Sequence, residues 1–210
     1  MIAIIDSGIA NLRSVQKGFE RVGAEAKIVE DPRLLREAAA IVLPGVGAFR
    51  DGIEKLTRGG FVEPLLRAIE AGKPTLGICL GLHFLFSESE EFGAHKGLNL
   101  IPGQVRRFPP STASSSGPPL KVPHIGWNQV WVTREAPLFR GIPEGARFYF
   151  VHSYYVDPVE RSVVAATTEY GVSFPSAIWR DNLMATQFHP EKSQAVGLTL
   201  LENFARLARC

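Results

Sequence analysis

Apolar runs that alternate with amphipathic segments fill the first 90 residues and constrain the fold more than any other feature. Four of these runs are predicted strands, at residues 1–5, 26–29, 39–43 and 75–78. The segments between them have helical signals, such as the apolar steps of three and four residues from Leu12 to Val22. Apolar strands that alternate with helices are typical of a parallel sheet covered on both faces. The sequence therefore predicts a three-layer α/β fold with a mostly parallel central sheet.

The second half is richer in short strands, and we expect additional antiparallel pairing there. Strands are predicted at residues 120–122, 129–132, 147–151, 163–167, 176–179 and 184–187, and a closing helix at 195–209. Residues 109–119 consist only of Pro, Ser, Thr, Ala and Gly. Such a composition predicts a flexible surface loop. Because strand-like segments continue on both sides of it, we expect one domain over residues 1–210.

Charge and cysteine content exclude several classes of protein. With 23 Lys and Arg against 21 Asp and Glu, the net charge of +2 provides no bulk attraction to nucleic acid or to an anionic membrane. Two cysteines, one of them Cys210, make no disulfide framework. The apolar opening stops at Asp6, too short for a signal peptide, and no run approaches the ~20 apolar residues of a membrane span. We expect a soluble cytoplasmic protein.

A cysteine lies where the fourth predicted strand meets the following helix. Residues 77–81 read Gly-Ile-Cys-Leu-Gly, the cysteine form of a nucleophile elbow, in which glycines on both sides permit a sharp turn. At that position the thiol of Cys79 projects beyond the strand, and the helix N-terminus favours its reactive thiolate form. The backbone N–H of Leu80 would point into the same pocket and bind an oxyanion. The alternative is a buried structural cysteine.

A cysteine nucleophile needs a base, and His189 is the favoured candidate among five histidines. In the extended segment His189-Pro190-Glu191, the carboxylate of Glu191 would lie beside the imidazole and orient it. The alternative is a surface histidine near an unrelated glutamate. His83 competes as a local base or, with Cys79, as a metal ligand. No second pair of residues has ligand spacing, so the sequence predicts neither a metal site nor a cofactor.

The glycine-rich loop after the third predicted strand reads Pro-Gly-Val-Gly-Ala-Phe at residues 44–49. It lacks the third glycine and the lysine of phosphate-binding loops. The order of strands places it beside the elbow at the carboxyl edge of the sheet. Val46 and Gly47 would then supply a second backbone N–H to an oxyanion, unless this is a plain strand-to-helix turn.

Together these motifs resemble those of the class I (triad) glutamine amidotransferases. The resemblance extends over residues 6–8, 11–15, 43–49, 77–81, 123–128, 149–155 and 187–193. It implies a flavodoxin-like fold and the hydrolysis of glutamine to glutamate and ammonia, with Cys79 as nucleophile, His189 as acid and base, and Glu191 as its orienting partner. It implies an oxyanion hole at Leu80, Val46 and Gly47. The residues that it implies for glutamine binding are Gly47, His83, Ser153 and Tyr154.

The resemblance also implies a protein partner. Segments 123–128 and 149–155 are similar to the branch of the family that serves histidine biosynthesis, in which a (β/α)8-barrel cyclase subunit receives the ammonia. Asn11, Trp127 and Asn128 would lie at or near that interface. The family usually has Gln where this chain has His83, whose charge would change with pH. It usually has Tyr and Gly where this chain has Ser7 and Ala10.

Two other functions stay open at the level of the sequence. The same triad would serve the amidotransferase subunit of another synthase, of the anthranilate or aminodeoxychorismate type. The fold would also serve as a catalytically silent binding module.

Overall fold

The first half of the chain alternates strands and helices, as predicted. The structure is a computed structural model that describes residues 1–6, 8, 11–109 and 121–208. Its first strands are β1 (Ile2–Ile5), β2 (Ala26–Val29), β3 (Ala40–Gly45) and β4 (Thr75–Cys79). Between them lie the helices α1 (Leu12–Arg21), α2 (Phe49–Arg58) and α3 (Val62–Glu70), and a 3-10 helix, Pro32–Arg36.

The rest of the chain is dominated by strands. A short helix, α4 (Leu80–Phe84), precedes β5 (Phe86–Ser89), β6 (His95–Lys96) and β7 (Ile101–Arg107). The strands that follow are β8 (His124–Gln129), β9 (Trp131–Val132), β10 (Arg147–His152), β11 (Tyr154–Pro158), β12 (Val164–Glu169), β13 (Ser173–Arg180) and β14 (Leu183–Thr186). Helix α5 (Gln194–Leu207) follows, and further 3-10 helices are Pro137–Phe139, Arg161–Val163 and Pro190–Lys192. None of the helices in the described part of the chain is long and apolar enough to cross a membrane.

Eight strands form the central sheet in the order β2-β1-β3-β4-β14-β13-β12-β9. The first five are parallel, and β13, β12 and β9 continue the sheet in antiparallel pairing. Two smaller sheets pair β8 with β10 and arrange four strands in the order β11-β7-β5-β6. The predicted α/β fold, with a mostly parallel sheet and additional antiparallel strands, is therefore confirmed.

Helices cover both faces of the central sheet because its strands are apolar on both sides. Along β1, Ile2 and Ile4 join the core under α1 and α5, where Phe19 and Phe204 pack 6.0 Å apart. Ala3 and Ile5 instead join the core under α2 and α3. Alternate residues of a strand point to opposite faces, so an apolar strand needs a cover on each side. This layering leaves the carboxyl edge of the sheet as the place for a site.

Some predicted boundaries are wrong. The predicted strand 129–132 is divided, because Gln129 ends β8 and only Trp131 and Val132 form β9. Lys121 and Val122 are not in a strand: the Lys121 carbonyl accepts a hydrogen bond from the Tyr170 hydroxyl (2.8 Å) instead of from a strand neighbour. Strands β5, β6, β7 and β11, helix α2, and all of β8 except Gln129 were not predicted. Predictions that involve Ser7, Ala10, residues 110–120, Arg209 and Cys210 lie outside the described residues.

Candidate active site

Cys79 is both the last residue of β4 and the residue that precedes α4. Its backbone has φ 53° and ψ −109°, a conformation that is strained for a residue with a Cβ atom. β4 pairs with β3 up to this position, with Gly45 opposite Cys79. The chain therefore turns sharply at the carboxyl edge of the sheet, as expected for a nucleophile elbow. Cys79 is buried, with 7% of its surface exposed.

The two glycines that flank the cysteine are required by close packing. A Cβ atom on Gly81 would lie 1.8 Å from the carbonyl oxygen of Leu43 in β3. A Cβ atom on Gly77 would lie 2.9 Å from the carbonyl oxygen of Gly81. Real Cβ atoms do not approach other atoms within 3.0 Å, so only glycine lets α4 start directly against the sheet.

His189 and Glu191 come to the same edge from the neighbouring strand. β14 pairs with β4 in parallel, with Thr186 opposite Ile78, and the chain continues from there to His189. Imidazole Nδ1 lies 2.7 Å from Glu191 Oε1, and both side chains are 2% exposed. The His189 backbone is held too: its N–H donates to Tyr149 O (2.9 Å) and its carbonyl accepts from Ser193 Oγ (2.6 Å).

The electrostatics of His189 favour its protonated form. Burial alone lowers the pKa of the imidazole, but the interactions with Cys79 and Glu191 outweigh it and raise the pKa to about 10. Because Glu191 occupies Nδ1, Nε2 is the ring nitrogen left for Cys79, and it has no other hydrogen-bond partner among the described residues. The arrangement holds a charged imidazole next to the cysteine, where an acid and base for this nucleophile is needed.

A cavity of about 360 Å³ opens above Cys79, a size within the range of small-molecule sites. Eight of the residues selected from the sequence line it: Val46, Gly47, Cys79, Leu80, His83, Ser153, Tyr154 and His189. Glu191 is buried behind His189 instead. Gly47 has a φ of 96°, which favours glycine, and the space around its Cα is open.

His83 lines the cavity, but it is buried and hydrogen-bonded to another side chain of the protein. It is 5% exposed, and its Nε2 lies 2.9 Å from Gln187 Oε1. Burial lowers its pKa to about 4, against the opposing effect of the Gln187 hydrogen bond. Burial therefore keeps the imidazole neutral at neutral pH, and the expected change of charge falls at lower pH.

Sequence reasoning missed four polar residues of the site. Glu91, Arg107 and His152 line the cavity, and Gln187 Nε2 lies 4.0 Å from the sulfur of Cys79. Glu91 and Arg107 are brought there by β5 and β7, which were not predicted. Burial alternates along β7, but Pro102 and Gly103 hide this alternation in the sequence. Burial raises the pKa of Glu91, although its carboxylate accepts a hydrogen bond from the Phe49 backbone N–H (2.7 Å).

The three residues selected for a partner interface lie outside this cavity. Asn11 is exposed just before α1, and its side chain does not cap that helix. Trp127 is 41% exposed on β8 and packs edge-on against Tyr149 at 6.2 Å. Asn128 is only partly exposed and donates hydrogen bonds to Glu169 O (2.9 Å) and His124 Nε2 (3.2 Å). Within the described ranges, no group of three or more His, Cys, Asp or Glu residues is arranged to hold a metal ion.

Comparison with known proteins agrees with this fold. The family model for class I glutamine amidotransferases matches residues 3–207. The chain belongs to the class I glutamine amidotransferase family. Solved structures add agreement in the fold: a crystal structure of a glutamine amidotransferase superposes with a TM-score of 0.75 at 19% identity, covering 100% of this chain and 99% of that one. The glutaminase domain of Trypanosoma brucei CTPS with bound acivicin superposes with a TM-score of 0.70 at 17% identity, covering 99% of this chain and 93% of that one.

Within the family, the chain is similar over its length to one kind of subunit. The imidazole glycerol phosphate synthase subunit HisH of Syntrophotalea carbinolica is 62% identical over 204 residues, covering 97% of this chain and 98% of that protein. The protein of the same name from Geobacter sulfurreducens is 59% identical over 206 residues, covering 98% of each.

Proposed function

We propose that this chain is the glutamine-hydrolysing subunit of an imidazole glycerol phosphate synthase, acting in histidine biosynthesis. The full length would serve as one amidotransferase domain. The observation that carries the proposal is the pair of Cys79 and His189 lining one cavity, with Glu191 bonded to His189 Nδ1, in a chain 62% identical to a HisH subunit.

The proposed reaction is acyl transfer to sulfur, followed by hydrolysis. The thiolate of Cys79 attacks the side-chain amide carbon of glutamine and forms a tetrahedral intermediate. His189 donates its Nε2 proton to the departing ammonia and then removes a proton from the water that cleaves the thioester. Glu191 holds Nδ1 at 2.7 Å, which fixes the orientation of the imidazole and stabilises its charged form.

Backbone N–H groups would stabilise the oxyanion of each tetrahedral intermediate. Leu80 is the first residue of α4, so its N–H has no acceptor within the helix and is available at the foot of the cavity. The second donor comes from the loop at Val46 and Gly47, which lines the same cavity. Donors that already point at the position of the oxyanion need no reorientation as the charge develops.

The opposite charges that line the cavity suit the amino-acid end of glutamine. Its α-ammonium and α-carboxylate need a negative and a positive partner, and the cavity offers the Glu91 carboxylate and the Arg107 guanidinium. Gly47, Ser153 and Tyr154 would hold the remaining polar atoms. His83 would contact the substrate as a neutral imidazole.

The partner in the proposal is the cyclase subunit, a (β/α)8 barrel that uses ammonia to form imidazole glycerol phosphate and AICAR. Ammonia that reaches neutral water becomes ammonium and ceases to be a nucleophile, so the partner must dock over the site. Asn11, Trp127 and Asn128 are the residues proposed for this contact. Two cysteines make no disulfide framework, which fits a reducing compartment, so the proposed location is the cytoplasm.

The test measures glutamate release with and without the cyclase subunit, and ammonia transfer into the product of the cyclase. We expect Cys79→Ala and His189→Ala to abolish glutamate release while retaining the circular dichroism of the parent protein. Cys210→Ala is the matched thiol control and should keep full activity. Retained activity in His189→Ala with loss in His83→Ala would assign the base to His83. Glutamate release without transfer to this cyclase would favour another synthase, and no release at all would favour a silent module.

A further inference from the structure

Two buried histidines form a chain of hydrogen bonds that the reaction itself does not use. His124 on β8 lies directly opposite His152 on β10 in the antiparallel pair, and His124 Nδ1 is 2.9 Å from His152 Nε2. At the inner end, His152 Nδ1 is 2.8 Å from the carbonyl oxygen of Tyr154. At the outer end, Asn128 Nδ2 is 3.2 Å from His124 Nε2. We call these four groups the histidine relay.

The hydrogen bonds of the relay run in one direction. The Tyr154 carbonyl only accepts, so His152 carries its proton on Nδ1 and accepts at Nε2. His124 must then donate from Nδ1 and accept at Nε2, where the Asn128 amide donates. The second N–H of that amide donates to Glu169 O, and its oxygen accepts from the Gln129 N–H. Each member thus has one consistent role and one tautomer.

Burial supports this assignment. His124 is 3% exposed and His152 is 6% exposed. Burial lowers the pKa of His124 to about 4 and that of His152 well below its ordinary value. Both rings are therefore neutral at neutral pH, and protonation of either would place two donors against each other.

Aromatic packing holds the relay rigid. The His124 ring stacks between Tyr170, at 3.9 Å, and Phe150, at 4.8 Å. Phe108 packs against His152 at 5.2 Å. Rings that are enclosed in this way cannot turn without disturbing the core, so their hydrogen bonds have a fixed geometry.

The inner end of the relay reaches the cavity where glutamine would bind. His152, Ser153 and Tyr154 line it, and the chain bends at Ser153 between β10 and β11. The carbonyl oxygen of Val151, the residue before His152, lies 3.9 Å from the sulfur of Cys79. The bond from His152 to the Tyr154 carbonyl closes this bend and fixes the backbone beside the nucleophile.

We propose that the histidine relay positions the Ser153–Tyr154 segment for glutamine, which makes His152, His124 and Asn128 positioning residues for substrate binding. The proposal rests on the proposed glutaminase function. Asn128 does not line the cavity, yet it would affect the affinity for glutamine through the relay. The exposed Trp127 precedes Asn128 in β8, but its side chain lies on the other face of the strand and is not part of the relay.

Two substitutions of His124 separate positioning from simple packing. His124→Phe keeps an aromatic ring but has no donor for His152, whereas His124→Asn places an amide N–H close to where Nδ1 was and removes the ring. A neutral hydrogen bond contributes about 1 kcal/mol, which corresponds to about a fivefold change. We expect KM for glutamine to rise about fivefold in His124→Phe, with kcat within twofold of the parent, and to stay near the parent value in His124→Asn.

A second pair of variants tests the outer end without altering a ring. Asn128→Ala should raise the KM for glutamine with little change in kcat, while the neighbouring Gln129→Ala is the matched control and should leave both constants unchanged. Urea unfolding of each variant identifies any loss of the fold.

The proposal is overturned if His124→Phe binds glutamine like the parent protein while His124→Asn loses affinity, because that pattern indicates packing alone. An unchanged KM in Asn128→Ala would remove the outer residue from the relay. These outcomes presuppose a parent protein that hydrolyses glutamine; an inactive parent refutes the proposed function instead.

Discussion

The elbow glycine Gly81 provides a quantitative test of how the nucleophile is positioned. In Gly81→Ala, the new Cβ atom would lie 1.8 Å from Leu43 O and would have to reach at least 3.0 Å, a displacement of 1.2 Å. The obstacle is backbone of β3, a buried strand of the central sheet, and no side-chain rotation relieves it. α4 must therefore move away from the sheet and carry Leu80 with it.

This displacement has two measurable consequences. Overpacking of a buried position costs about 1–3 kcal/mol and sometimes more, and we expect the upper part of this range because the clash is with backbone. A 1 Å misplacement of reacting groups lowers the rate by about 100-fold, so kcat for glutamine should fall by about that factor. Urea unfolding measures the first effect, and glutamate release by the folded fraction measures the second.

Gly97→Ala is the matched control. Its Cβ atom would lie 2.2 Å from Phe86 O, a comparable clash with backbone, but Gly97 does not line the cavity. It should lose stability and keep the kcat of the parent. If Gly81→Ala retained both stability and kcat, the close approach of α4 to β3 would not be what positions Cys79.

Three further predictions concern buried polar groups. Glu191→Gln removes the charge beside His189, so the pKa of this imidazole should fall from about 10 in a histidine NMR titration. Because that pKa lies above the ordinary histidine value of 6.5, His189 stabilises the folded state below about pH 6.5, and this stabilisation is lost as the pH rises toward 10. The variant should therefore lose less stability over this range. His83 stays neutral when buried, with a pKa of about 4, so stability should fall as the pH decreases from 6.5 toward 4, and His83→Gln should reduce this fall in urea unfolding. Asn203→Ala removes the donor to Leu138 O (3.0 Å) and Arg140 O (2.7 Å), which should cost about 2 kcal/mol in urea unfolding and leave kcat unchanged.

Each of these predictions has a contrary result. An unchanged titration of His189 in Glu191→Gln would show that the carboxylate does not support the imidazolium. If the free energy of unfolding fell equally between pH 6.5 and 4 in the parent protein and in His83→Gln, His83 would not be buried in its neutral form. Wild-type stability of Asn203→Ala would mean that the two carbonyls find other donors.

The parallel half of the fold was predictable because its strands are buried on both faces. Runs such as residues 39–43 read as continuous apolar sequence, and the helices between them have a clear period. The half-exposed strands gave weaker signals. β7, for example, has the burial of a strand with one covered face, but Pro102 and Gly103 interrupt its pattern. β8 was missed for a similar reason, since Gly126 and two polar residues dilute it.

The proposed catalytic residues were easier to predict than the other residues around the cavity. The Gly-x-Cys-x-Gly pattern has a steric cause that is local to five residues, and Glu191 is two residues from His189. Glu91, Arg107 and Gln187 depend on how distant strands pair, and no local pattern marks them. Burial was also invisible in the sequence, which indicated a change of charge at His83 with pH but not that burial lowers its pKa to about 4.

Covalent labelling of Cys79 tests the central claim most directly. The protein is incubated with an electrophilic glutamine analogue and its peptides are mapped by mass spectrometry. We expect one adduct per chain, on Cys79 and not on Cys210, prevented by excess glutamine and slowed at least ~100-fold in His189→Ala. An unlabelled Cys79, or glutamine hydrolysis that persists in Cys79→Ala, would contradict the assignment of this thiol as the nucleophile.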